Sequence, residues 1–163
     1  MSTRRAMTLL EMTAAITVLA IISVAVLPVI ASSADAYASA AQTRRETERI
    51  AFAAERCQRL LREAQAGAVA GELDVGVATP DQILFTDGRG LRLDGTDLVL
   101  VMPGEPDAPI CRGVDTFQIQ YLGSDGVTDT SATPNATFRF NVTVASGDVS
   151  LSITAFARAQ IGG

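Results

Sequence analysis

Arg4-Arg5-Ala6-Met7-Thr8-Leu9-Leu10-Glu11 leads into the one long apolar segment of the chain, and the reading of that segment decides everything downstream. No charge follows Glu11 until Asp35, so the uncharged run over residues 12–34 exceeds the ~20 residues a helix needs to cross a bilayer. The two arginines hold the first residues on the cytoplasmic side and send the chain beyond the run to the far side. Glu11 stands out. A carboxylate in hydrocarbon costs about 2.5–3.5 kcal/mol even on the lenient insertion scale and calls for a partner. The apolar run offers no Arg, Lys or His. The nearest intrinsic candidate is an amino group made by cutting the chain before Met7.

The basic leader ending at Ala6, then Met7-Thr8-Leu9-Leu10-Glu11, then the apolar run with Pro28, resembles the prepilin leader of type IV pilins and type II secretion pseudopilins. The resemblance implies cleavage between Ala6 and Met7 by a prepilin peptidase and methylation of the new amine on Met7. It makes Glu11 the fifth residue of the mature chain, where the family pairs a glutamate with the terminal amine of a neighbouring subunit. The family usually has glycine before the cut and phenylalanine after it; Ala6 and Met7 stand there in this chain. A conventional secretory signal has an apolar core of only about 7–15 residues, shorter than this run, with a cleavage site such as Ala34-Asp35-Ala36 or Ala36-Tyr37-Ala38. An ordinary single-pass anchor accounts for the length but leaves Glu11 without a purpose.

Helix-forming sequence continues past the membrane run. Residues 35–66 contain no Gly or Pro and are rich in Ala, Arg, Glu and Leu. Ile50, Ala53, Ala54, Cys57, Leu60, Leu61 and Ala64 recur at spacings of three and four, which marks one apolar face. Gly67 and Gly71 supply the stop. Together these stretches predict one helix of roughly 90 Å at ~1.5 Å per residue. A kink or melted turn is expected at Pro28, which cannot donate to the carbonyl of Val24.

From Asp81 the period becomes two. Ile83-Leu84-Phe85 and Leu91-Arg92-Leu93 read as a hairpin around Asp87-Gly88-Arg89-Gly90, and residues 98–102 as a more buried strand. A Pro- and Gly-rich loop over 103–113 carries Cys111. Three alternating strands come next. Phe117, Ile119 and Tyr121 share one face, as do Phe138, Phe140, Val142 and Val144, and as do Val149, Leu151, Ile153 and Ala155. The predicted fold is α+β: a leader (1–6), a membrane or filament-core half-helix (7–34), an amphipathic half-helix (35–66), and an antiparallel β head (67–163) packed on residues 45–66. This is the lollipop outline of a pilin.

The chemistry in the sequence is mostly negative. The chain has 13 Arg and no Lys, 18 acidic residues and no His, which excludes Ser-His-Asp and Cys-His arrangements and histidine metal ligands. Two cysteines cannot form a Cys-rich zinc site, and Gly88-Arg89-Gly90 lacks the length and the Lys of a phosphate loop. From residue 67 onward 5 Arg face 12 acids, a formal charge of −7, so the head is not expected to bind nucleic acid. No cofactor is expected; the best calcium candidates are Asp125 and Asp129, in a late loop where related major pseudopilins hold calcium. Cys57 on the apolar helix face and Cys111 before a strand covering that face predict a disulfide in an oxidising compartment.

Taken with the absence of catalytic motifs, the resemblance implies a non-enzymatic filament subunit, a minor pseudopilin of type II secretion. Its expected partners are other subunits through the N-terminal helix, prepilin peptidase, the inner-membrane assembly platform, and the lipid bilayer before assembly. The head would lie in the periplasm. Two alternatives stay open: a minor pilin of a true type IV pilus, serving motility, adhesion or DNA uptake, or a membrane-anchored periplasmic binding module.

Overall fold

A computed structural model describes residues 8–69 and 71–157. Among the described residues there are one α-helix, α1 (Leu9–Arg62), then eight strands and one 3-10 turn, Pro134–Ala136. It divides into two compact units, Met1–Arg44 and Arg45–Gly163. In the first, α1 is exposed throughout and carries no charge over residues 12–34, with Leu9 at 85% and Val24 at 74% of full exposure. It is long and apolar enough to cross a membrane. The helix runs unbroken through Pro28, so the melted turn expected there does not form. A proline removes one N–H from the ladder, and the turns on either side carry the helix across that gap.

In the second unit, α1 ends at Arg62, four residues short of the expected 66. Its last carbonyls are closed by Glu63 N–H to both Arg59 and Leu60 and by Ala64 N–H to Leu61, all within 3.4 Å. The strands are β1 (Val75–Thr79), β2 (Gln82–Phe85), β3 (Gly90–Asp94), β4 (Asp97–Val101), β5 (Ala108–Cys111), β6 (Thr116–Leu122), β7 (Arg139–Ser146) and β8 (Val149–Phe156). They form two antiparallel meanders rather than one sheet: five strands in the order β1-β2-β3-β4-β5, and three in the order β6-β7-β8. The expected hairpin is β2–β3, pairing Ile83 with Leu91. Gly90 is required at its end, because a Cβ there would collide with the Ile83 carbonyl and the Leu84 side chain. β1 and β5 are strands that periodicity does not mark.

The two sheets meet where Ile119 N–H donates to the Pro80 carbonyl, at 2.6 Å, and where the Tyr121 hydroxyl reaches Thr79 and Gln82. One continuous core joins the helix face of Ile50, Ala53, Cys57, Leu60, Leu61 and Ala64 to Ile83, Leu91 and Leu98 of one sheet and to Ile119, Phe140, Val142 and Val144 of the other. Ile50, Leu61, Phe140, Val142 and Val144 are each 0% exposed. Transfer of each such side chain from water stabilises the head by about 1.5–3 kcal/mol before entropy is charged. The coarse α+β prediction therefore holds: a long apolar N-terminal helix followed by antiparallel sheet.

Candidate functional site

Two places carry the sequence-predicted site residues: the start of α1 and the polar loops of the head. The cleavage pair Ala6 and Met7, with the methylated position Met7, lies outside the described residues. Glu11 lies inside them, and it has a local partner. Its Oε2 accepts from the Thr8 backbone N–H at 2.8 Å and from the Thr8 hydroxyl at 3.1 Å, while Thr8 Oγ1 faces the Glu11 N–H at 3.4 Å. This is a reciprocal capping box, with Thr8 at the N-cap and Glu11 three residues on. The carboxylate also lies in the first turn, where the helix dipole favours negative charge. Thr8 is a site residue that the sequence reading passes over, although Thr8-Leu9-Leu10-Glu11 is the pattern that signals such a box. Glu11 Oε1 has no hydrogen-bond partner among the described residues and remains open to a donor from elsewhere.

Beyond that turn, the helix hides its own polar groups. Thr13, Thr17, Ser23, Ser32 and Ser33 each donate a hydroxyl to a carbonyl three or four residues back, at 2.7 to 3.1 Å. Nothing polar on this face then requires water, which suits hydrocarbon or a packed bundle of apolar helices.

In the head, the two calcium candidates serve their own turns. Asp125 Oδ1 accepts from the N–H groups of Val127 (3.0 Å) and Thr128 (2.9 Å), and Oδ2 from the Thr128 hydroxyl (2.5 Å). The Thr128 hydroxyl and these amides hold the Asp125 carboxyl down at about 2. Asp129 accepts from the Ser131 N–H (2.8 Å) and hydroxyl (3.1 Å). Among the described residues no third acid, Cys or His joins either carboxylate in a group able to hold a metal. The groove of about 410 Å³ beside β6 is lined by Gln118, Gln120, Tyr121, Val127, Asp129 and Ser131 among others, and Asp129 is its one carboxylate.

Cys57 and Cys111 are both buried and both free, so the expected bridge is absent from the structure. The two thiols belong to one apolar core, Cys57 on the helix face and Cys111 at the end of β5 with its Sγ 3.8 Å from the Arg112 carbonyl. Burial raises the Cys57 thiol to about 12, with Cys111 adding a smaller push in the same direction. Cys57 behaves as a small core hydrophobe.

Comparison with protein-family models, with curated proteins and with solved structures returned no match.

Proposed function

We propose that this chain is a structural subunit of a type IV pilus-like filament, a minor pseudopilin of type II secretion. It is held in the inner membrane by the first part of α1 until assembly draws it out. The observation that carries the reading is the start of α1: an exposed stretch with no charge over residues 12–34, preceded by one carboxylate in the first turn with one oxygen unengaged. A helix of that kind, long enough to span a bilayer, can be solvated by lipid or by copies of itself. In a bundle of copies, the open oxygen of Glu11 would meet the amine of a neighbour's Met7. The head, anchored on residues 45–62 of the helix, takes no part in chemistry on this reading.

The test separates processing from assembly. Mass spectrometry of the mature protein should show a chain beginning at Met7 with a methylated amine. Glu11→Gln keeps a side chain able to accept from Thr8 but removes the charge, whereas Glu11→Leu removes both. Both variants should insert and be cut, and neither should enter filaments. Assembly at the wild-type level by Glu11→Gln would sink the charge-pairing role. A mature chain starting at Tyr37, or at or beyond Ser39, would sink the filament reading itself.

A further inference from the structure

Arg59, Arg89, Arg92 and Arg112 each lie within 3.8 Å of a carboxylate oxygen, of Glu63, Asp87, Asp107 and Asp97 in turn. Arg45, Arg49 and Arg56 have no carboxylate partner among the described residues. All three are exposed; Arg49 donates to the Arg112 carbonyl, and the Arg56 guanidinium lies over the Phe52 ring at 5.2 Å. With Phe52 they recur at spacings of four, three and four, so they share one stripe of α1. Phe52 is itself 50% exposed. Between this stripe and β5 runs a groove of about 500 Å³, lined by Arg45, Glu48, Arg49, Phe52 and Ile110, with Glu48 its one acid. A half-exposed aromatic ring among guanidinium groups has the composition of an interface centre, where aromatic residues and Arg are enriched.

The complement of that groove lies on the same chain. The β7–β8 turn is Gly147-Asp148, exposed at both residues and closed by the pair Ser146–Val149. Its Gly147 N–H donates to Asp115 Oδ2 at 2.7 Å, and Glu46 Oε2 lies 4.0 Å from the place a Gly147 Cβ would take. Three carboxylates therefore surround a turn of two residues. Asp115 and Asp148 pair with no arginine among the described residues. Val149, beside the turn, is apolar and only half-buried. No ion pair joins this turn to Arg45 or Arg49 within the copy, among the described residues, so each surface is left to a neighbour.

We propose that the groove between α1 and β5 receives the acidic β7–β8 turn of a second copy of this chain. Asp148 of the entering turn meets Arg45 and Arg49, and Val149 meets Phe52 and Ile110. Opposite charge on the two surfaces fixes the register of the contact and excludes groove-to-groove and turn-to-turn pairing. Because the giving and receiving surfaces differ, the contact is heterologous, and each copy can do both at once, which extends a row of copies instead of closing a pair. A turn in a groove buries less than the ~800 Å² per partner of a standard stable pair. It therefore acts between copies that the apolar part of α1 already holds together, at raised effective concentration. In that sense it rests on the filament reading, and it adds the surface through which the heads meet.

Full chains reconstituted at high density in phosphatidylcholine vesicles test it. Ala108→Cys lies on β5 beside the groove and Ser150→Cys beside the turn; both positions are exposed and neither change alters a charge. With a short bismaleimide, a chain carrying both new cysteines should give a ladder extending beyond the dimer. Chains carrying one of them should give no product, nor should the parent, whose Cys57 and Cys111 are buried. Asp148→Arg and Arg45→Asp, each at an exposed position, should each cut the ladder at least about tenfold with the thermal midpoint unchanged, and together restore it to within about threefold. Raising salt from about 0.05 M to about 0.5 M should weaken the ladder about threefold or more. The proposal is overturned by the absence of a ladder, by one indifferent to charge reversal, or by dimers from Ser150→Cys alone. It is refuted equally if Ala108→Cys in intact cells cross-links to a different protein in place of this chain. Filaments that form as in wild type from Asp148→Arg, with no ladder, refute the head contact alone. A ladder from chains that never mature at Met7 or assemble refutes the filament reading alone.

Discussion

Tyr121→Phe tests whether the two sheets are held together where the structure joins them. Tyr121 is 2% exposed, and its hydroxyl lies 2.9 Å from both the Thr79 and the Gln82 carbonyls, the closing pair of the β1–β2 hairpin. Its ring meets Phe140 edge-on, with centroids 6.0 Å apart, and the substitution leaves that contact intact. One shared hydrogen bond is worth about 0.5–1.5 kcal/mol, and two carbonyls left short of a donor add to the loss, giving about 1–2 kcal/mol at neutral pH. For a head of this size that lowers the melting midpoint by about 4–8 °C.

The pH dependence supplies an independent check. Burial raises the Tyr121 phenol above its ordinary 10.0, so the folded state keeps the proton after the unfolded chain has lost it. The stability that this contributes is complete below pH 10 and is lost as pH rises further, at up to about 1.4 kcal/mol per unit. Cys57, raised from 9.0 to about 12, adds a loss of the same sign that begins near pH 9 and is present in both proteins. The wild type should therefore fall faster than Tyr121→Phe above pH 10, and the gap between them should narrow from pH 8 to pH 11. Thermal melts at those pH values read it directly. Equal midpoints at pH 7, or a gap constant to pH 11, would refute the reasoning.

Leu61→Ala, at a site with 0% exposure on the helix face, should cost about 3–5 kcal/mol in denaturant unfolding of the head and leave membrane insertion unchanged. Thiol counting on the unfolded, unreduced chain should find both Cys57 and Cys111 free, and in the folded chain Cys57 should resist alkylation at pH 8, its thiol being near 12. The Asp125 turn should hold at pH 7 and open as pH falls from 3.8 toward about 2, since a carboxyl depressed in the folded state gives its stabilisation above the unfolded value and loses it below; faster exchange of the Val127 and Thr128 amides would report the opening, and Asp125→Ala should show it already at pH 7.

What periodicity can see, the structure contains. Ile50, Ala53, Ala54, Cys57, Leu60 and Leu61 form the buried helix face because their spacing follows the 3.6-residue turn, which packing then only has to fill. β6 and β7 are legible for the matching reason: one wet face and one dry face write a period of two into the sequence. β1 and β5 are not, since Gly76 and Pro109 interrupt their patterns and their strands are made by pairing with neighbours. The division into two sheets is hidden for a deeper reason. It depends on contacts such as Ile119 with Pro80 and Tyr121 with Thr79, about forty residues apart, and no local window contains both partners.

At the start of α1 the position is reversed, because the decisive pattern is short and local. Thr8 and Glu11 are three residues apart, and a capping box explains a carboxylate there without reference to any filament. The box alone does not explain why the residue before so long an apolar run should be ionisable. A glutamine at the third helical position also completes a capping box, and it enters hydrocarbon without a charge. What Gln could not supply is a full negative charge on the unengaged oxygen. The comparison of Glu11→Gln with Glu11→Leu therefore divides the two roles of the side chain: the hydrogen bond that starts the helix, and the charge that a neighbouring amine would neutralise.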